Sequence, residues 1–464
     1  MSRLLGWLSG QDSSLRFIAL AVAGAVLLGG GGNPAPLAEL SLELLLAVCL
    51  AGWFWTAPQS TLKATPPLVW GLAIAMLALP LAQMIPLPSA VWQALPGHAD
   101  EKAALDLIGQ GHGWRALSVA PYRTLSALLG MVGPVALMVI GASLSRSARV
   151  ILLAVIGVAA TASILVGAAQ LGGGMWSMLR FYSADSLTLD GFYANHNAQA
   201  DLLLIGMVAL TAVLADWVAL GVLRRPVQAL VGAGVLAIMF VCAIVLTASR
   251  TGMVLIPLAL AGQVAILWPL LALSRRGIML SAAGVLLAVA GAGVVVESNT
   301  ALSGAVSRFR QSDPIRPEIW RNTLYAIEAH LPWGSGMGTF MPVYTSIEKL
   351  ETVTDQLVNR AHDDYLEFAL EGGIPAIVIM VIVVGCLAWR AWPWRSDNHL
   401  ALRSQRICAS VGLLVVGLHS IVDYPLRAMS LACIAGLLAG LLFPARANLV
   451  PVSQGPLGEV KESL

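Results

Sequence analysis

The run VQALVGAGVLAIMFVCAIVLTA (residues 227–248), the turn SRTG (249–252) and the run MVLIPLALAGQVAILWPLLAL (253–273) decide the fold of this chain. Each apolar run has about the 20 residues that a helix needs to cross a hydrocarbon layer. So short a turn sends the second helix straight back across. Working outward, comparable runs occur at approximately 16–33, 37–56, 67–86, 123–143, 150–170, 198–220, 278–296, 372–391, 406–423 and 426–444. These twelve segments predict an all-α polytopic membrane protein. Composition agrees, with 58% hydrophobic and 11% charged residues against about 25% charged in soluble domains. A single integral membrane domain is expected over 1–444, with a disordered cytoplasmic tail at 445–464. No small-residue cleavage site follows the first apolar run, which reads as a retained span rather than a signal peptide. Cys49, Cys242, Cys386, Cys408 and Cys433 all lie in apolar runs and read as small core residues, without disulfide or metal-ligand spacing.

The distribution of basic residues gives a sidedness. Arg146/Arg149, Arg224/Arg225, Arg275/Arg276 and Arg390/Arg395/Arg403/Arg406 fall in short turns on one side together with both termini, and that side is cytoplasmic by the positive-inside rule. The loops 87–122, 171–197, 249–252, 297–371 and 423–427 face the other way. Arg250 then sits on the wrong side for topology. Snorkelling to headgroups is the bland reading; an arginine at a membrane boundary is otherwise a functional-site hypothesis. The small-residue pairs Gly232/Gly234, Ala282/Ala283/Gly284 and Gly291/Gly293 read as helix-packing faces.

Between the spans ending at 296 and starting at 372 lies a charged island, Glu297 to Glu371, carrying Arg308, Arg310, Arg316, Arg321, Arg360, His330 and His362. A loop of that length is usually functional. Four pieces of the far face hold the candidate chemistry. Asp190-Gly191-Phe192-Tyr193-Ala194-Asn195-His196-Asn197 precedes a span; its amides and imidazole can bind a headgroup or sugar, or simply cap the helix. Arg250 offers a planar fork that fits phosphate oxygens. Arg316-Pro317-Glu318-Ile319-Trp320-Arg321 starts an amphipathic helix on or near the membrane, with Trp320, Leu324 and Ile327 on one face. It leads to Pro332-Trp333-Gly334-Ser335-Gly336-Met337-Gly338. No strand precedes that glycine run and no Lys-Ser/Thr follows, so it reads as a close backbone approach rather than a nucleotide loop. Arg316 could contact phosphate, or pair with Glu318 or Asp313. The last piece is Arg360-Ala361-His362-Asp363-Asp364-Tyr365-Leu366-Glu367, where a helical reading puts His362, Tyr365, Leu366 and Ala369 on one face. His362 beside arginines and carboxylates suits proton transfer as well as structure. Asp363 and Asp364 could ligate a cation, but an adjacent pair lacks the further spaced ligands that such a site needs.

At these residues the chain resembles the O-antigen ligase and polymerase family of bacterial membrane proteins. The matching pieces are Phe192 to Asn197, Ser249-Arg250-Thr251-Gly252, Arg316 ahead of Trp320, Pro332 to Gly338, and His362 to Glu367 followed by Gly372-Gly373-Ile374-Pro375. The likeness covers roughly residues 190–390. It implies a GT-C-like, inverting, metal-independent glycosyltransferase without cofactor, in the bacterial inner membrane with its active site facing the periplasm. The implied donor is an undecaprenyl-diphosphate-linked glycan. The implied acceptor is a lipid-linked repeat or lipid A–core sugar, with membrane lipids around it and no nucleic acid partner. The resemblance maps phosphate-binding arginines onto Arg250 and Arg316 and a functional histidine onto His362. Asn195, His196, Asn197, Arg321, Arg360, Asp363 and Tyr365 are the expected substrate contacts. Asp363 stands where the family often has Asn. The loop motifs resemble exopolysaccharide-type members, which favours polymerase over ligase. The competing class is a small-anion transporter, for example of bicarbonate. Ionisable residues near the bilayer midplane would support it, and Asp216 and His419 are the candidates within spans.

Overall fold

The computed structural model describes residues 13–31, 36–175, 177–182, 187–271, 315–349, 351, 353, 357–392 and 400–443. The expected span at 278–296, the island residues 297–314 and the tail lie outside them. Helices occupy the other expected runs: α1 (Ser13–Leu28), α2 (Pro36–Thr56), α3 (Pro67–Gln83), α4 (Pro121–Ser143), α5 (Arg146–Gly173), α6 (His196–Ala219), α7 (Pro226–Leu246) and α8 (Arg250–Leu267). The island supplies α9 (Arg316–His330) and α10 (Phe340–Ile347), and the chain continues through α11 (Asp364–Ala391), α12 (Leu400–His419) and α13 (Met429–Leu441). By length and composition seven of the described helices can cross a membrane, α2, α4, α5, α6, α7, α8 and α11. Helices α1, α3 and α13 are shorter apolar ones. This is a helical membrane protein.

Helix α6 is the axis of the packing. It contacts α5, α7, α8 and α12, and its buried positions run almost without interruption from Ala198 to Asp216. A helix that is apolar all round belongs in such a place. Helix α13 lies tightly against α4, because Gly436 and Gly440 present bare backbone to it. A Cβ at Gly436 would come within 2.1 Å of the Pro134 carbonyl oxygen, and one at Gly440 within 2.2 Å of that of Met138. This is the small-residue approach expected between membrane helices. Of the glycines singled out from the sequence, Gly232 packs on α6, where a Cβ would lie 3.2 Å from Leu214, and Gly234 has nothing within 4 Å; the pairs near 282–293 lie outside the described residues. Arg149 is buried, donating to the carbonyls of Leu144, Leu441 and Ala142 at 3.0, 2.9 and 3.2 Å. It thus serves the bare C-terminal carbonyls of α4 and α13.

At the opposite end, the strands β1 (Pro86–Leu87) and β2 (Arg115–Ala116) pair antiparallel in the connection from α3 to α4. The described part of the island builds its own small core from Ile319, Ala326, Phe340, Val343, Tyr344, Ala361 and Leu370. Helix α9 therefore buries Ile319, Asn322, Thr323, Ala326 and His330. Of the face expected from the sequence, Ile327 packs on this core and Trp320 is half-buried, donating to Ala361 O at 3.1 Å, while Leu324 is half exposed. Protein core, rather than lipid, set the orientation. The glycine run packs backbone to backbone against a kink in α11. The Ile374 amide donates to Pro332 O at 2.9 Å, and the Gly336 amide to Glu371 O at 2.9 Å. Gly373 sits at φ +59°, where a Cβ would lie 2.3 Å from Pro332 O.

Candidate functional site

The site is assembled on the turn between α12 and α13, Ser420 to Ala428, which the sequence marked only as a tight connection. Asp423 is its hub. The side-chain amides of Asn195 (3.3 Å) and Asn197 (2.5 Å) both donate to its Oδ2. The Tyr424 amide donates to Oδ1 at 2.9 Å, and His362 Nδ1 lies 3.5 Å from the same oxygen. Burial raises the Asp423 carboxyl, but the His362 bond and the charges of His419, His362 and Arg316 outweigh it and hold the group well below the usual range. The Tyr424 ring meets His362 edge-on at 5.0 Å; burial and then Asp423 push its hydroxyl up.

Each sequence-predicted residue can now be located. Asn195 caps α6, accepting from the Asn197 amide at 2.8 Å, and His196 is the first helical residue, half-buried. Arg316 opens α9 and donates to Val422 O at 2.6 Å. Arg250 opens α8 behind its cap Ser249. That first turn abuts α6, because a Cβ at Gly252 would touch the Ala200 methyl. His362, Arg316, Asn195 and Asn197 therefore converge on one turn, and the first turn of α8, which Arg250 opens, packs on α6 at Ala200. Arg360 donates to Glu367 Oε1 at 3.0 Å. Tyr365 donates to Gly417 O at 2.8 Å and ties α11 to α12. Arg321 pairs with Glu318 on an exposed face and is not brought to the turn.

His362 is not helical, contrary to the face drawn from the sequence. It sits at φ +52°, and helix α11 begins after it at Asp364. Asp363 is the cap, accepting from the Leu366 amide at 2.9 Å. That explains its occurrence where the family often has Asn, since the two cap equally well. The other non-glycine residue with a positive φ among those described is Ala248, at φ +57°, two positions before Arg250. Strained backbone of this kind tends to collect at functional sites.

Behind His362, the first turns of α11 bury Asp364, Glu367 and Glu371. Arg427 reaches all three, at 2.9 Å from Glu371, 3.3 Å from Glu367 and 3.7 Å from Asp364. Burial alone would lower the guanidinium; the three carboxylates reverse that and raise it. Asp364 also accepts from Ser420 Oγ at 2.9 Å and the Leu426 amide at 3.1 Å. Arginines thus occupy the acidic cluster, and among the described residues no group of His, Cys, Asp or Glu gathers to hold a metal. Asp423 and Arg427 were missed in the sequence, although Arg427 shares the wrong-side signal that singled out Arg250.

The two buried carboxylates of α6 are each paired, one at either end of the helix. Asp201, one turn into α6, lies 2.7 Å from His419 Nδ1 at the site end. Asp216 lies 2.9 Å from Arg146 at the other.

No curated protein matches the chain. Residues 234–381 match the family described as O-Antigen ligase. That stretch contains Arg250, Arg316, Arg360, His362 and the acidic start of α11, while Asn195–Asn197 and Asp423 lie outside it. Over residues 234–381, which include the start of α8, α9 and the start of α11, this helical membrane protein is similar to the O-antigen ligase family.

Proposed function

We propose that this protein transfers a glycan from undecaprenyl diphosphate to an acceptor sugar at the periplasmic face of the bacterial inner membrane, as an inverting, metal-independent glycosyltransferase of GT-C type. The supporting observation is the Asp423 turn, which gathers His362, Arg316, Asn195 and Asn197 beside the start of α8. With Nδ1 turned to Asp423, His362 leaves Nε2 to take the proton of the acceptor hydroxyl, the arrangement by which a carboxylate fixes a catalytic imidazole. The hydroxyl oxygen attacks the anomeric carbon, the bond from that carbon to the diphosphate oxygen breaks, and the lipid diphosphate leaves. Arg250 and Arg316 neutralise the charge growing on it. Removing one such contact typically costs on the order of 3 kcal/mol of transition-state stabilisation. Arg360 and Arg427 have the different task of holding the acidic start of α11. Twelve spans, with the one at 278–296 leading into the island, would put both termini in the cytoplasm.

Arg250→Ala and His362→Ala are each expected to abolish transfer while leaving membrane insertion intact; wild-type amounts of glycan product from either would overturn the assignment. A small-anion transporter is the rival reading, and the buried Asp201–His419 pair is the feature it would use. That pair stands at the site end rather than at mid-span, which favours the transferase. Conversion of lipid-linked glycan by purified protein without an ion gradient separates the two. Polymerase is favoured over ligase by the loop motifs. Electrophoresis of surface glycans after gene deletion distinguishes them: a single attached repeat means polymerase, and unattached lipid-linked polymer means ligase.

A further inference from the structure

Helix α6 holds the Asp423 turn at two places, and only one of them touches the Asp423 carboxylate. Asn197, in the first turn of α6, donates to Asp423 Oδ2 at 2.5 Å. Asp201 lies four residues further on and so shares that face of the helix. Its Oδ1 is 2.7 Å from Nδ1 of His419, the last residue of α12. The His419 carbonyl oxygen in turn accepts from the Val422 and Asp423 amides, both at 3.0 Å. His419 therefore joins α6 through its side chain and the Asp423 amide through its backbone. Asn197 and Asp201, one helical turn apart, seat the segment 419–423 at its two ends.

Packing alone does not account for the Asp201–His419 pair. The two side chains are 0% and 1% exposed, and ionisable groups so buried are costly unless every polar atom is met. Asp201 Oδ2 and His419 Nε2 have no hydrogen-bond partner. Two apolar side chains of similar volume would fill such a space, often at no loss of stability. Apolar contact is non-directional, however, and would let the end of α12 slide along α6. A hydrogen bond is directional and fixes that register. Ionisable residues between membrane helices generally mark function.

We infer that Asp201 and His419 are positioning residues for the transfer reaction, their bond seating the Asp423 turn on α6 and so aiming the Asp423 carboxylate at His362. Both side chains are enclosed, so they act through Asp423 rather than on substrate. The His362 side of the same contact is set from α11, where the Asp364 amide donates to Ser420 O at 3.0 Å. The inference rests on the proposed transferase reading.

The test uses the full chain in lipid nanodiscs, as wild type, Asp201→Leu, Asp201→Asn, His419→Phe and Asp423→Asn, and with Asp201→Leu combined with Asp423→Asn. Leucine has nearly the shape of aspartate and removes the acceptor; asparagine keeps an acceptor oxygen for His419 Nδ1. Phenylalanine keeps a ring and loses the donor, so the outcome does not hang on one variant folding. Initial-rate transfer, with each substrate varied in turn, is measured beside hydrogen exchange over 419–428. Asp201→Leu and His419→Phe are each expected to lower kcat about tenfold to a hundredfold, the cost of a misplacement on the order of 1 Å. Both KM values should stay within twofold, and exchange at Val422 and Asp423 should quicken. Asp201→Asn should keep at least a third of wild-type kcat. Added to Asp423→Asn, Asp201→Leu should cost less than twofold more, because the two act through one contact. Folded Asp201→Leu and His419→Phe with wild-type kcat, or losses that multiply with that of Asp423→Asn, overturn the positioning role and keep the transferase. Wild-type protein that transfers nothing, while Asp201→Leu still quickens exchange over 419–428, overturns the transferase and keeps the seat of the turn on α6.

Discussion

Asp423→Asn is the most searching perturbation, because it is isosteric and leaves every other residue of the site in place. In the native turn one face of the carboxylate accepts from the Asn195 and Asn197 amides, and the other meets His362 Nδ1 at 3.5 Å. An asparagine can satisfy only one of those faces as an acceptor. If its oxygen stays with the two amides, its NH2 turns to the imidazole and imposes the wrong tautomer. Two unit charges 3.5 Å apart interact by about 5 kcal/mol at an effective dielectric near 20. His362 is 28% exposed, so solvent takes part of that back, and about 2–4 kcal/mol remains. At one factor of ten per 1.36 kcal/mol, turnover is expected to fall between about 30-fold and 1,000-fold. The assay is initial-rate transfer from lipid-linked donor by purified protein in nanodiscs, with thermal unfolding measured beside it. KM for each substrate should stay within about threefold, since Asp423 is placed to act through His362 rather than on substrate. Asp423→Asn with more than a third of wild-type turnover, in protein of wild-type thermal midpoint, refutes the positioning role. So does a loss that appears in KM alone.

Arg427→Ala leaves Asp364, Glu367 and Glu371 buried without their shared cation and should destabilise by about 3–5 kcal/mol, read as a large drop in thermal midpoint in nanodiscs. Gly373→Ala forces a Cβ to within 2.3 Å of Pro332 O at φ +59°; a cost of at least about 1–3 kcal/mol follows, with faster hydrogen exchange over 332–338. Asp363→Asn keeps the helix cap and should change thermal stability by less than about 0.5 kcal/mol and turnover by less than twofold, a larger loss in transfer alone pointing to substrate contact instead. Burial lowers His330 below its ordinary value, and nearby His98 lowers it further, against the raising bond to Ala326 O. The neutral ring is therefore the docked form. Its ring packs on Gly97, with Glu101 the carboxylate near His98. Docking of α9 on the 84–120 connection should hold above about pH 6.5 and weaken as pH falls through it. Protease cleavage within 316–349 that is no faster at pH 5 than at pH 7.5 contradicts this.

The helical frame was legible because an apolar run long enough to cross a membrane carries its own signature. The site was legible only where a residue broke a rule of that frame. Arg250 breaks the sidedness rule and so stands out as a candidate. Arg427 broke it too, but the turn around it is so short that it read as a connection. Asp423 broke nothing, since an acidic residue in a far-side turn is ordinary; its importance comes from Asn195, Asn197 and His362 arriving from three other segments, which pattern along the chain cannot encode. The start of α11 was placed eight residues late, at 372 instead of Asp364. Its first turns are acidic and looked like loop, yet they are buried because arginines meet them. Asp201 escaped notice inside an apolar run, and its partner His419 lies far away in sequence. The glycine run was read correctly as a close approach, because what it lacked, a preceding strand and a following lysine, is visible in sequence.

The two groups of arginines do different work, and this accounts for the posture of His362. Arg360 and Arg427 clamp three carboxylates on the first turns of α11. Glu367, so held, accepts from the Ala361 amide at 3.0 Å, just before His362. Just after it, Asp363 caps the helix and the Asp364 amide donates to Ser420 O at 3.0 Å. His362 is thus pinned on both sides in a left-handed conformation that it would abandon in a freer chain. The same Ser420 begins the turn that carries Asp423, so one hydrogen bond fixes the distance between the imidazole and its carboxylate. A charge cluster behind His362 thus sets the geometry of the imidazole to which the proposed mechanism gives the acceptor's proton. Charge added to this cluster should therefore reach turnover through His362, without change in phosphate affinity at Arg250.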